Sequence, residues 1–291
     1  MMNALKKSAK SLVWKVSPKL NATLRMERYK SLNTKFPNVF NDEDAQKNAL
    51  LQQVYDQGFA VLPSYFDAAW CEKCIAEFHD MKECHPSFVQ SREDDRIFGC
   101  ENVSETFARF HDDKFLQSIA DQYYGETAKI NVSLVNHVEP TKGSVLGSGG
   151  DWHRDRMIRQ FKALVYLKDV TDENGPFQYI VGSNTHHHAQ FKADTAVTGM
   201  PQNATRLTDK DVQPLVDRDP SRLKTFTAPK GTVVLVDTSG IHRGMPIKDG
   251  ERYAMFNYYI PASEYDSNYV HKKFAPVVPE NFSMNKNDQD R

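Results

Sequence analysis

The sequence has no long apolar run. Nowhere in its 291 residues is there a stretch approaching the ~20 apolar residues that a membrane-spanning helix needs, and the N-terminal region lacks the apolar core of a secretory leader. Neither export nor membrane spanning is therefore expected, and the expected location is the cytoplasm. An excess of one charge is also missing: 37 Lys and Arg stand against 38 Asp and Glu. The chain as a whole thus favours no nucleic acid and no strongly charged partner. Cysteine is scarce, and Cys71, Cys74, Cys84 and Cys100 fall close together. The first two form a C-x-x-C within DAAWCEKCIAEFHDMK, whose helical apolar spacing puts both thiols on one helix face and not on a zinc knuckle. Reduced, packed cysteines are expected. The single glycine cluster, GSVLGSGG at 143–150, lacks the lysine of a phosphate-binding loop.

What is present begins with a basic arm. Residues 1–35 hold nine Lys or Arg and one acid, Glu27. Leu5, Leu12, Val13, Trp14, Val16 and Leu20 can share one helix face, so a solvated basic helix packed on the body is expected, with contact to a membrane surface as the alternative. Beyond this arm, taken as 1–40, NDEDAQKNALLQQVYDQG reads as a helix capped at Asn41 or Asp42 and stopped by Gly58. FAVLPSYF follows as a short buried strand, then two helical stretches around 67–82 and 103–122. From about residue 128 the pattern changes to short runs rich in Val, Ile, Phe and Tyr, among them KINVSLVNHV, FKALVYLKDV, FQYIVG, TVVLVDT and RYAMFNYYIP. That is a β region of the sandwich or barrel type. Segment 185–220 reads as a polar, mostly irregular insertion, with His186-His187-His188 in a solvated loop near the rim. The expected organisation is one domain over 41–271, with helices 41–125 packed on a β core at about 128–262, and a polar tail over 272–291.

The chemistry centres on GDWHRDRMIRQF, residues 150–161. His153-Arg154-Asp155 is how a protein-kinase catalytic loop begins, but the Asn required five residues past the Asp is Gln160, and no strand lysine or Asp-Phe-Gly accompanies it. The kinase reading fails. On a strand, residues i and i+2 point the same way. His153 and Asp155 can then both be metal ligands, with Arg154 turned away. A third ligand has to come from a later strand, and His242 in GTVVLVDTSGIHRG is the candidate. Two histidines and one carboxylate on one face of an octahedron are the ligand set of non-haem iron(II) oxygenases. Arg252, ten residues beyond His242, can pair with the far carboxylate of 2-oxoglutarate.

With these residues in place, the chain resembles the phytanoyl-CoA dioxygenase family of iron(II)/2-oxoglutarate oxygenases over roughly residues 45–265. The likeness rests on His153-x-Asp155, on FKALVYLKDVTDENGPFQYIVGSN at 161–184, and on GTVVLVDTSGIHRG with Arg252 after it. The resemblance implies a mainly β protein with packed helices, built on a double-stranded β-helix: a small, cupin-like jelly roll. It implies His153, Asp155 and His242 as the ligands of Fe(II), Arg252 as the anchor of 2-oxoglutarate, and Asn136 for that cosubstrate's iron-side end. It further implies hydroxylation of a C–H bond in a small or lipid-like organic substrate by molecular oxygen, with succinate and carbon dioxide as co-products. Desaturation or cyclisation by the same centre, and a binding protein that has kept the fold without the metal, are the alternatives.

Three positions depart from the family pattern. Val181 and Asn184 replace the proline and histidine of a Pro-Gly-Ser-His segment, and Gly244 stands where relatives carry a hydroxyl that helps the arginine. Thr238 or Tyr258 is expected to substitute for that hydroxyl, or else Arg252 acts alone. Asp155 itself argues against halogenation, which needs a small residue there. Arg154, Arg156, Arg159 and Lys162 crowd this stretch; if the strand through His153 and Asp155 stays regular, Arg159 shares their side and is the candidate for a negative group on the substrate, with outer-face charges paired to nearby acids as the alternative.

Overall fold

The computed structural model describes residues 18–140, 150–274, 276–282 and 284. Four of the basic arm's nine Lys and Arg, seven of the eight residues of the glycine cluster and the last seven residues of the polar tail lie outside the described residues. The β region forms two antiparallel sheets. The larger, in the order β1-β8-β5-β10-β4-β3-β2, comprises β1 (Phe59–Leu62), β2 (Gln90–Ser91), β3 (Asp95–Phe98), β4 (Ala128–Val138), β5 (Phe161–Tyr166), β8 (Val233–Asp237) and β10 (Arg252–Pro261). The smaller, in the order β7-β6-β9, comprises β6 (Phe177–Ile180), β7 (Leu223–Phe226) and β9 (His242–Gly244). The chain passes back and forth between the two sheets, as a jelly roll does.

The runs FKALVY and TVVLVD are buried at every position because both faces of the large sheet are covered. Ala163, Val165, Leu235, Val135, Tyr253 and Met255 turn outward to the helices. Leu164, Tyr166, Val234, Val236 and Ala254 turn inward to the small sheet, where Phe177, Tyr179 and Phe226 meet them. The period of two along each strand sorts these sets without exception.

The helical layer is α2 (Ala45–Gln57), α3 (Ala68–Cys84), α4 (Glu105–His111) and α5 (Lys114–Tyr124), preceded by α1 (Pro18–Asn33). Asp44, not Asn41 or Asp42, caps α2 by accepting from Gln46 N and Lys47 N. Gly58 stops that helix at φ 99°, where a Cβ would lie 2.3 Å from the Tyr179 hydroxyl. No other residue fits there. In α3 the buried stripe includes Cys71 and Cys74, both packed in the main core. The stretch 103–122 is two helices, because Asp113 starts a new one by accepting from Leu116 N.

Three sequence-based expectations need correcting. Segment 185–220 holds α6 (His188–Thr198) and α7 (Asp209–Arg218). A Thr208–Asp211 capping box starts α7, and Val212 and Leu215 pack on Trp152, Ile180, Leu207 and Ile241. Its polar outer face and internal Pro214 conceal the helical period. His186 and His187 are not in a solvated loop: both reach the Tyr55 carbonyl with Nε2, at 2.9 and 2.7 Å, and their rings lie against the Tyr55 ring. The segment between α1 and α2 also belongs to the body. Phe36 and Phe40 pack on the main core, and Asn33 donates to Thr185 Oγ1 at 3.2 Å. The boundary expected at residue 41 therefore falls too late. Among the described residues no helix is long and apolar enough to cross a membrane.

Candidate metal centre

His153 and Asp155 lie on an extended segment held on both sides. His153 N donates to His242 O and His242 N to His153 O, each at 2.9 Å, and Asp155 N donates to Thr238 O at 3.0 Å. On the other flank Arg154 N donates to Thr205 O, and Leu207 N to Trp152 O, each at 2.9 Å. The segment around α6 and α7 is thus the outer wall that keeps the ligand segment extended. This pairing sets the two histidine rings side by side, with centroids 4.3 Å apart.

One face of this arrangement is a ligand set. His153 Nε2 is 3.7 Å from Asp155 Oδ1, and His242 Nε2 is 3.5 Å from Asp155 Oδ2. The three residues place one ligand atom each within 4.8 Å of one another. Each imidazole is oriented by its other nitrogen: His153 Nδ1 lies 2.7 Å from Asp151 O, and His242 Nδ1 2.9 Å from Gly240 O. A carbonyl can only accept, so both Nδ1 atoms carry a proton, and Nε2 is the atom each ring would offer to a metal. Burial, with His242 beside it, pushes the His153 imidazole down to about 3, so it is neutral and ready to ligate. Burial alone would raise the Asp155 carboxyl, but the Lys162 ammonium beside it outweighs this and holds the carboxyl well below its usual range. Two neutral nitrogens and one carboxylate oxygen with an open side fit a divalent first-row metal.

Arg252 projects from the start of β10 into the space between the sheets. It is buried, one terminal nitrogen donates to Gly175 O, and Nε has no partner. The expected substitutes for the missing hydroxyl are elsewhere. Thr238 Oγ1 donates to Gln160 O at 3.3 Å, and Tyr258 lies towards the opposite end of β10, under Lys162. Gly244 instead lets the guanidinium lie close over the backbone: a Cβ there would come within 3.1 Å of both terminal nitrogens.

Asn136 faces the same interior. On β4 it is opposite Ala254, one step inward from the Arg252–Val138 pair. Its Nδ2 donates to Asp94 Oδ2 at 3.1 Å, its Oδ1 has no partner, and Asp94 also accepts from Arg96 at 2.9 Å. Asn136 therefore sits at the Arg252 end, not the iron-side end the sequence reading gave it. At the metal end the row across the sheet is Lys162, Tyr258 and Val132.

Arg159 is not brought to the triad. It is 1% exposed within the helical layer, its guanidinium 4.2 Å from the Tyr123 ring centroid. Nε donates to the Tyr123 hydroxyl at 3.1 Å and one terminal nitrogen to Pro37 O at 2.7 Å. The reason is local: the chain has only an isolated bridge at His153 and bends before β5 begins at Phe161, so the alternation counted from His153 does not reach residue 159. Arg154 does turn away from the metal face, as expected, and donates to Ser183 O and Ser239 O.

Two residues of the site escaped the sequence reading. Lys162, in contact with Asp155 Oδ2, would have been found by counting inward positions from β5 itself, an apolar strand with one charge. Asp237, 0% exposed, accepts from Gln160 N, Ser239 N and Asn184 Nδ2 at 3.1, 2.9 and 3.1 Å. Asn184 thus serves the turn as an amide donor. A cavity of about 590 Å³, lined by Glu101, His111, Asn131 and Tyr265 among others, opens at the other end of β4 and includes none of the triad.

A jelly roll carrying two histidines and one carboxylate on its inner face, with a buried arginine on the neighbouring wall, presents the donor set that non-haem metal oxygenases use. The family model described as phytanoyl-CoA dioxygenase matches residues 54–250, and the chain belongs to that family. A curated relative is the L-proline trans-4-hydroxylase of Streptomyces griseoviridis, 29% identical over 161 residues; the match covers 50% of this chain and 59% of that enzyme. Among solved structures, EctD from S. alaskensis with 2-oxoglutarate and 5-hydroxyectoine is 19% identical, with a TM-score of 0.58, over 84% of this chain and 91% of that one. The epimerase SnoN in complex with Fe3+, alpha ketoglutarate and nogalamycin RO is 16% identical, with a TM-score of 0.55, over 81% of this chain and 92% of that one. These two likenesses concern the fold.

Proposed function

We propose that the protein is an iron(II)- and 2-oxoglutarate-dependent oxygenase that hydroxylates a C–H bond of a small organic or lipid-like molecule. The observation that carries this is the convergence of two bare imidazole nitrogens and the Asp155 carboxylate within 4.8 Å, on the same interior as the buried Arg252. Iron with 2-oxoglutarate and oxygen would supply the oxidising power, with succinate and carbon dioxide as co-products. The chain's own contribution is binding and shape. The Asp151 and Gly240 carbonyls fix the tautomers, and Asp155 closes the ligand set and leaves no small-residue gap of the kind halogenation needs. Arg252 holds a distal carboxylate, and the inner rows Leu164, Phe256 and Leu134 form an apolar wall that keeps water out.

The proline hydroxylase relative supports hydroxylation of a small molecule. An epimerase in complex with Fe3+ and alpha ketoglutarate has the same fold, so the fold does not choose among outcomes, and desaturation or cyclisation is the second reading. Iron-dependent formation of succinate without added substrate tests the proposal. Wild type is expected to form it, whereas Asp155→Ala loses metal affinity by more than the ~10–100-fold that removal of an outer partner costs. Wild-type protein that neither binds iron nor forms succinate would sink the reading.

A further inference from the structure

The inner wall of the large sheet carries a cation at each end. Arg252 is one and Lys162 the other, with the apolar row Leu164–Phe256–Leu134 between them. Lys162 is 5% exposed, its ammonium contacts Asp155 Oδ2, and it lies 3.6 Å from the centroid of the Tyr258 ring. Its ion-pair partner is the Asp155 carboxylate, which is also a ligand of the proposed metal.

That sharing poses a charge problem. A divalent ion on Asp155 sets a second positive centre a few ångströms from a buried ammonium, and one carboxylate does not balance both. Like charges this close repel strongly in a poorly screened interior, and a buried charge without an adequate counter-ion is costly. The lysine therefore needs a second anion beside the metal. The aromatic face of Tyr258 steadies it but supplies no negative charge.

We propose that Lys162 is a positioning residue that seats a carboxylate against the metal on its sheet side. This rests on the oxygenase reading. A carboxylate there has two sources, the near end of 2-oxoglutarate or an acid group on the substrate. The two-ended wall favours the first, because 2-oxoglutarate carries one carboxylate for each cation.

Nickel(II)-loaded wild type, Lys162→Met and Lys162→Arg are titrated with 2-oxoglutarate by calorimetry. The cobalt(II)-loaded proteins, saturated with N-oxalylglycine, are then titrated with acetate by visible absorption. A loss of ten-fold or more in 2-oxoglutarate affinity in Lys162→Met, recovered in part by Lys162→Arg, supports the proposal with the cosubstrate as source. Unchanged 2-oxoglutarate affinity with loss of the acetate response supports it with the substrate as source. Lys162→Gln is read in the same way if the methionine variant does not hold metal. If wild type binds 2-oxoglutarate and the neutral variants match it in both titrations, the role of Lys162 is overturned alone. If wild type binds no 2-oxoglutarate, the oxygenase reading falls and this proposal with it.

Discussion

Replacing Asp237 tests how the ligand segment is held. Its carboxylate is fully buried and receives three N–H groups, from the Gln160 and Ser239 backbones and the Asn184 amide, with His186 Nδ1 3.5 Å away. Asp237→Ala leaves three donors stranded in a site with no water access. Each orphaned buried donor costs ~1–3 kcal/mol, and because they share one acceptor the costs do not simply add. A loss of ~3–6 kcal/mol at pH 7 follows, a large part of the ~5–15 kcal/mol of an ordinary domain. Asp237→Asn keeps an oxygen for the backbone donors and loses less, ~1–2 kcal/mol.

Acid dependence gives a second handle. Burial alone would raise the Asp237 carboxyl, but His186, Arg159 and the Ser239 N–H outweigh it and hold it below the unfolded value. A depressed folded value means the group's stabilisation is complete above the unfolded pKa of ~3.9 and is lost as pH falls through the folded one. Urea denaturation followed by circular dichroism should show a gap between wild type and Asp237→Asn that is flat from neutral pH to about 5 and closes in stronger acid. The turn after Asp237 carries Thr238 O, which receives Asp155 N, so cobalt(II) affinity should fall ~10-fold as well. A gap at pH 7 below about 1 kcal/mol for Asp237→Ala, or one that widens on acidification, would refute the reasoning.

Other expectations concern the second wall and the arm. Arg252→Gln removes charged hydrogen bonds worth ~1.5–3 kcal/mol each, so 2-oxoglutarate affinity measured by calorimetry should drop at least ~10-fold while metal affinity is kept; equal 2-oxoglutarate affinity would remove Arg252 from the anchor role. Gly244→Ser restores the relatives' side chain but sets its Cβ 3.1 Å from both Arg252 nitrogens. It should weaken 2-oxoglutarate binding, and a tighter complex would show that the guanidinium has room to move. Asn33→Ala takes the acceptor from Arg159 N, a 2.9 Å bond, and should cost ~1–3 kcal/mol in urea denaturation. Deleting residues 1–35 to test vesicle binding would carry that cost too, so deletion of 1–17 is the cleaner comparison.

What could be read in the sequence, and what could not, divides along one physical line. Local patterns held wherever one interaction sets them. The strands announced themselves by apolar runs with both faces covered, α2 by its Gly58 stop, and the convergence of His153, Asp155 and His242 by residue type and order. Failures came where a local rule was carried across a break in structure. Arg159 was placed inward by counting twos from His153, but the bend before Phe161 resets the phase, and Lys162 becomes the inward residue. Asn136 was assigned to the iron end by its strand alone; only the register against β10 shows it beside Arg252. Helix α7 hid because its core partners, Trp152, Ile180 and Ile241, lie far from it in sequence. Those partners also give the apparent insertion a structural role: the residues before α7, Thr205 and Leu207, pair with the segment that carries His153 and Asp155. Without that flank, His153 and Asp155 would have one backbone neighbour instead of two, and a metal centre with three protein ligands depends on holding them extended.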